Sequence, residues 1–414
     1  MRRVLVPLVS LAVLASACGG DGDEPSAQPS GSLTGSITVA AAGGEGEIKA
    51  LEGVIDAFED AYPGTTVTLD AVASAGDLVA KLTTSFAARS APDVFVLNYR
   101  RLGSFAEKGV IAPVPAASSE GLFQKPLEAF TFGGELLCRP SNASSMVVYL
   151  NTALFAEAGV PLPKRTWTWA DLRTTAEALK AKGVKAIGFD TALVRLAPFV
   201  WSNGGEITDD AERPSRVDLS SPEAREALQL LLDLQQTGLT ATDRAAQDPE
   251  EAFTAGKVAM LLESRRAVPG LRKTEGLDFD VAPVPTAKTS VSVLHSDGYC
   301  VTKASRSSGL ANAFAQFATA GEGARVLARS GRSVPMSVSV AESVDFLAPD
   351  QLPKGAKVFL DQAVSARPLP HVPAWNEVES VTDDILSQLF AGKTTLDQAV
   401  ADIAAETRVA LAKR

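Results

Sequence analysis

From residue 36 onward, short β-rich runs alternate with amphipathic stretches, and this alternation limits the fold more than any other feature. Residues 36–42 (SITVAAA) read as a strand. Ile48, Leu51, Ile55, Phe58 and Tyr62 follow at spacings of 3, 4, 3 and 4, which is one apolar face of a helix. Pro63-Gly64 stops that helix, and residues 66–72 read as a second strand. The run 92–97 (PDVFVL) is continuously apolar, as suits a parallel strand buried on both faces. Residues 146–150, 186–189, 258–262 and 279–284 read as further strands. Between them, Thr168 before Trp169-Ala170-Asp171 marks a capped helix start, with Gly183 placed to end that helix. Ser221-Pro222-Glu223 opens another helix, which Gly238 is expected to close. The pattern predicts an α/β protein of mostly parallel sheets flanked by helices, without internal repeats. A length of 414 residues suggests two or three compact units, and 46% apolar with 21% charged residues is globular composition.

The amino terminus predicts export. Arg2 and Arg3 precede residues 4–17, which are uncharged, mostly apolar and too short to span a bilayer core. The junction Leu14-Ala15-Ser16-Ala17-Cys18-Gly19-Gly20 has two readings. Ala15-x-Ala17 suits an ordinary signal peptidase. Small residues directly before a cysteine resemble a bacterial lipobox, in which Cys18 is acylated and becomes the new terminus. Leu14 stands four residues before the cysteine, where a lipobox has its large aliphatic residue three before. We expect a signal peptide over 1–17, then a lipidated Cys18 and a flexible tether over 18–33, rich in Gly, Ser, Pro and Asp.

Charge and composition exclude several classes. Without residues 1–17 the chain carries 37 basic against 49 acidic residues, so it lacks the basic surface a general nucleic-acid binder needs. Two histidines (His295, His371) and three cysteines argue against a multi-histidine metal site and a disulfide-dense scaffold, and no cofactor is expected. Gly392-Lys393-Thr394 resembles the end of a P-loop, but Ser387 stands where the first glycine is needed. Gly44-Glu45-Gly46 begins a dinucleotide fingerprint that Lys49 breaks. The carboxylate pairs Asp209-Asp210 and Asp383-Asp384 read as solvated charge.

Five segments carry a resemblance. Residues 145–160 (SMVVYLNTALFAEAGV) resemble the YYN-x-x-LF-x-x-AG stretch of bacterial extracellular solute-binding proteins. Residues 167–172 are similar to that family's TWDEL helix start, and Trp201-Ser202-Asn203-Gly204-Gly205 to its W-x-NGG. Residues 252–260 (AFTAGKVAM) resemble AF-x-x-GK-x-AM, and Asp297-Gly298-Tyr299 the GDGY hinge strand. They occur in the family's order, spanning residues 35 to about 408. The resemblance is to the carbohydrate type, similar to maltose-binding protein. It implies a monomeric, two-lobed periplasmic-binding-protein-like fold that closes on a small-molecule solute and delivers it to the membrane permease of an ATP-binding-cassette importer. It implies an N-lobe of 34–139 plus 298–335 and a C-lobe of 140–297 plus 336–414, with crossings near Pro140, Ser296 and Pro335.

The resemblance also implies where ligand contacts lie. Trp375 corresponds to a cleft tryptophan platform, with packing as the alternative, and Trp201 is a second candidate. Trp167 and Trp169 read as helix-start packing. Asn98, Tyr99, Arg100 and Arg101 emerge at the carboxyl end of the 92–97 strand. Arg266 stands where the family has an aromatic platform, and a guanidinium plane can stack or grip an anion. With Arg100, Arg101 and Arg265 it suggests a ligand that is anionic or rich in hydroxyls. Glu45, in the turn after the first strand, is a weaker candidate. Ser144 replaces a family acid and leaves maltodextrin in doubt. Family topology runs two crossings side by side, which would bring Cys138 and Cys300 within reach of a disulfide; two buried thiols are the alternative. The competing functions are a receptor for a non-sugar polar or acidic solute and a secreted glycoside-processing enzyme, which would need two carboxyls converging on one cleft.

Overall fold

The computed structural model describes residues 33–116 and 119–413. The expected signal peptide, Cys18 and nearly all of the tether lie outside them. Among the described residues, no helix is long and apolar enough to cross a membrane.

The strand–helix alternation becomes two principal sheets. In the first, Gly35–Ala42 lies between Thr65–Val72 and Val94–Asn98, parallel to both. Asp297–Val301 follows, antiparallel, and Cys138–Pro140 closes the edge. The helix Glu45–Ala61 buries Leu51, Val54, Ile55 and Phe58, close to the apolar stripe in its sequence. These side chains pack with Ile37, Val39 and Ala41, while Ala40 and Phe95 pack on the opposite face with Leu78 and Leu82. Burial on both faces explains why the central strands read as continuous apolar runs.

The second sheet is built around Ser144–Asn151, buried along its whole length. Its partners are Met260–Ser264, Ser292–His295 and Phe279–Ala282, all antiparallel to it. The short strands Ala366–Arg367 and Ile187–Gly188 extend the sheet in parallel pairings. The fold class is the expected α/β, with strand direction mixed here because the central strand enters from the other sheet against the run of its neighbours. The capping signals form as read. Thr168 accepts from the Asp171 backbone and Asp171 returns a bond to Thr168, starting the helix Trp169–Ala181. Gly238 has another reason to be glycine. A Cβ there would sit 2.0 Å from the Ile187 carbonyl oxygen, so close backbone approach, not helix termination, requires it.

The chain passes between the sheets at Ser141–Ala143 and again at Ser296. Asn142 bridges to Pro335, the Ala143 amide donates to the Val334 carbonyl at 2.8 Å, and the Ser141 amide to that of Asp297 at 2.8 Å. Ser296 Oγ donates to the Asn142 carbonyl. Three segments distant in sequence therefore meet at one point.

Cys138 and Cys300 sit directly opposite each other in the first sheet and are joined by a disulfide, with Cα atoms 4.3 Å apart. Both are fully buried. The bond closes a 162-residue loop, which in the chain-entropy account stabilises by about 4–5 kcal/mol. Peptide mapping of non-reduced exported protein should recover the linked pair. Cys138→Ser with Cys300→Ser should lower the denaturation midpoint by a corresponding amount; free thiols at both positions would refute the bridge.

Candidate functional site

Between the sheets lies a cleft of two adjoining cavities, an outer one of about 510 Å³ and an inner one of about 340 Å³. They share Asn98, Asn142, Arg266, Asp297 and Arg332. Asn98 ends a parallel strand, Asn142 and Asp297 flank the crossings, and Arg266 follows a strand of the second sheet. Strand ends and an inter-sheet crevice are where α/β folds bind ligands. The outer cavity has an apolar wall containing Ile48, Leu51, Leu78 and Tyr299, whereas among the described residues the apolar lining of the inner one is Val194 and Ala75.

Charge in the cleft is almost entirely matched. Asn98 caps the turn Tyr99–Arg101 by accepting from the Arg100 amide at 3.2 Å, and its own amide donates to Asp297 at 3.0 Å. Arg100 pairs with Glu379 at 2.6 Å. Burial raises the pKa of Asp297, opposed by Asn98 and Arg100. On the other wall, the buried Glu263 carboxylate is shared by Arg195 and by Arg266, the latter at 2.7 Å. Burial pushes the Glu263 pKa up, but Arg195, Arg266 and the Ser264 amide outweigh it and hold it down at about 2. Arg266 reaches Glu250 as well, at 3.2 Å. Arg332 pairs with Glu47. Arg101 lines the outer cavity and makes no ion pair among the described residues; burial and Arg100 beside it lower its pKa, opposed by the more distant Glu379.

Of the sequence candidates, Asn98, Arg101 and Arg266 line the outer cavity, and Asn98, Arg100, Ser144 and Arg266 the inner one. Ser144 also serves the crossing, its hydroxyl accepting from the Val334 amide at 3.0 Å. The others lie elsewhere. Trp375 is fully buried in the second sheet's core with Val378 and Leu386 and offers no platform. The backbone preceding it lies against Gly103, where a Cβ would come within 2.2 Å of the His371 carbonyl oxygen. That seating of the chain accompanies the inward turn of the indole. Trp201 is 3% exposed and capped by the Arg367 guanidinium, 4.6 Å from its ring. Tyr99 is buried as a weld between the sheets, its hydroxyl donating to Leu294 at 3.1 Å and accepting from the Leu369 amide at 3.0 Å. Glu45 is exposed; Glu47, two residues on, lines the cavity instead. Arg265 is stacked between Phe346 and Phe359 and bonded to the Gly331 carbonyl, away from the cleft.

Sequence reasoning missed Glu47, Asn142, Arg195, Glu263, His295 and Arg332, none of which carries a local signal of its own. Among the described residues, no group of three or more His, Cys, Asp or Glu is placed to hold a metal ion.

Two α/β lobes joined by several crossings around a polar cleft define the class of proteins that clasp a solute. The chain belongs to the bacterial extracellular solute-binding protein family, which it matches over residues 42–325. It is 21% identical to the maltodextrin-binding protein MdxE of Bacillus subtilis, over 76% of each chain. It is 25% identical to the sn-glycerol-3-phosphate-binding periplasmic protein UgpB of Brucella abortus, over 44% of this chain and 45% of that one. Among solved structures it is similar to the substrate-binding protein Lmo0181 of Listeria monocytogenes, in complex with cycloalternan. There the TM-score is 0.81 at 24% identity, covering 92% of this chain and 99% of that one.

Two substitutions separate packing from site. Trp375→Ala should cost about 3–5 kcal/mol of stability in urea unfolding while leaving ligand affinity of the folded protein unchanged. Glu263→Gln removes the buried carboxylate that Arg195 and Arg266 share and should cost about 3–5 kcal/mol at neutral pH. Because the Glu263 pKa is depressed, that gap should be full above pH 4.5 and close as the pH falls toward 2.

Proposed function

We propose that the protein is an extracytoplasmic receptor for a sugar or oligosaccharide, which closes on its ligand in the cleft and delivers it to the permease of an ATP-binding-cassette importer. The matching of charge across the cleft carries this reading. Paired carboxylates and guanidiniums present acceptors and donors to hydroxyl groups without a net charge to attract an ion. The maltodextrin-binding relative and the cycloalternan complex support the same ligand class. The lobes would be 34–139 with 298–335 and 140–297 with 336–414, rotating about the crossings at Asn142, Ser296 and Pro335. The protein would act as a monomer, without turnover, held at the outer face of the cell membrane by lipid on Cys18.

A receptor for an acidic solute is the second reading, favoured by Arg101, which makes no ion pair among the described residues, and by the glycerol-phosphate-binding relative. A glycoside-processing enzyme has one observation in its favour, because Glu263 and Asp297 line the same inner cavity. Against it, both Glu263 oxygens are engaged, one by Arg195 and Arg266 and the other by the Ser264 amide, leaving the carboxylate poorly placed to attack or to take a proton.

Calorimetry and thermal unfolding with glucose, maltose, trehalose, cyclic glucans and glycerol 3-phosphate test these readings. A neutral sugar should bind and be recovered unaltered. At a hundred times its dissociation constant it should stabilise the protein by about 2.7 kcal/mol. Binding of glycerol 3-phosphate alone would favour the acidic-solute reading, and a changed sugar would favour the enzyme. Cys18→Ala should release the protein from the membrane fraction into the medium or periplasm.

A further inference from the structure

His295 is the last residue of the strand Ser292–His295, pairs with Ser144, and immediately precedes the crossing at Ser296. It lines the inner cavity, and its Nε2 is buried with no hydrogen-bond partner among the described residues. Leaving such a nitrogen unpaired forfeits the hydrogen bond that water gives it in the unfolded chain. Native proteins keep few of these groups, and the residue that carries this one is a half-buried imidazole lining a polar cavity, where an occupant can reach the ring.

The surroundings define the chemistry of that occupant. Arg195 and Arg266 are committed to Glu263, Arg100 to Glu379, and Asp297 to Asn98. Arg266 reaches Glu250 as well and Arg332 pairs with Glu47, so each guanidinium lining the inner cavity already has a carboxylate and none is left free to anchor an anionic head. Burial, then Arg195 and Arg100, depress the His295 pKa to about 3, so the imidazole is neutral. A neutral imidazole has one donor and one acceptor nitrogen, and a hydroxyl can meet either.

The geometry points to His295 as a ligand-binding residue of the inner cavity, hydrogen-bonding a neutral, hydroxyl-bearing group of the solute. This rests on the receptor reading and assigns the two cavities different tasks. The inner one takes the polar head, and the outer one, with its apolar wall, takes the rest of the ligand.

The chain has two histidines, so the untagged mature protein labelled with ¹⁵N-histidine gives two imidazole signal sets. His371, whose Nε2 lies 3.2 Å from the Thr131 carbonyl outside the cleft, is the internal control. Calorimetry with glucose, maltose, trehalose, cyclic glucans and glycerol 3-phosphate identifies the binding probe, which is then added to the labelled protein. We expect a neutral sugar to move the His295 signals and leave those of His371 in place. His295→Ala should weaken that sugar about tenfold, and His295→Gln, which keeps a donor and an acceptor, should restore most of the loss. A sugar that binds without moving His295 would overturn this inference and leave the receptor intact, whether or not the alanine variant folds. Binding of glycerol 3-phosphate alone would overturn the neutral head group. Absence of any binder would overturn the sugar-receptor reading and this inference with it.

Discussion

The bonds at Asn142 hold the cleft together. Its carbonyl takes the Ser296 hydroxyl, its backbone bridges to Pro335, and its neighbours on either side bond to Asp297 and Val334. A backbone leaving one sheet for another must satisfy its polar groups outside any ladder. Here three crossings satisfy one another, which fixes where the sheets face each other, and the Tyr99 hydroxyl and the Arg100–Glu379 pair add further bonds across the same boundary. Asp297 and Ser144 sit within two residues of this junction and Asn98 pairs with Asp297, so the site and the crossings share their supports.

Electrostatics then determine what the cleft offers. Five arginines line it, yet four of them are matched by Glu379, Glu263, Glu250 and Glu47. Counting arginines in the sequence suggested an anionic ligand as readily as a hydroxylated one. Their partners lie far away in sequence, and pairing turns an apparently basic surface into alternating donors and acceptors. Burial strengthens this: Glu263 remains ionised only because two guanidiniums and a backbone amide face it.

The first helix was legible in the sequence because its apolar spacing needs nothing beyond its own residues, and so was the Thr168 cap. The strands Cys138–Pro140 and Ser292–His295 were not, because three or four residues carry too little periodicity. Asn98 and Arg101 were found because a residue after a parallel strand points toward the crevice whatever follows. Trp375 misled for the opposite reason. A tryptophan at a helix start serves equally as a platform or a core residue, and only the tertiary packing, here with Val378 and Leu386, decides which.

The sequence by itself determined the α/β class, the family resemblance and the turns that carry Asn98 and Arg266. These depend on periodicity, composition and short motifs, which are local properties of the chain. Only the tertiary structure decided that Glu263 faces Arg195, that Arg100 faces Glu379, that Arg265 turns into the core, and that His295 lines a cavity with its Nε2 unpaired. Each of these is a meeting of segments far apart in sequence, and no local pattern encodes the identity of a partner arriving from a distant part of the chain.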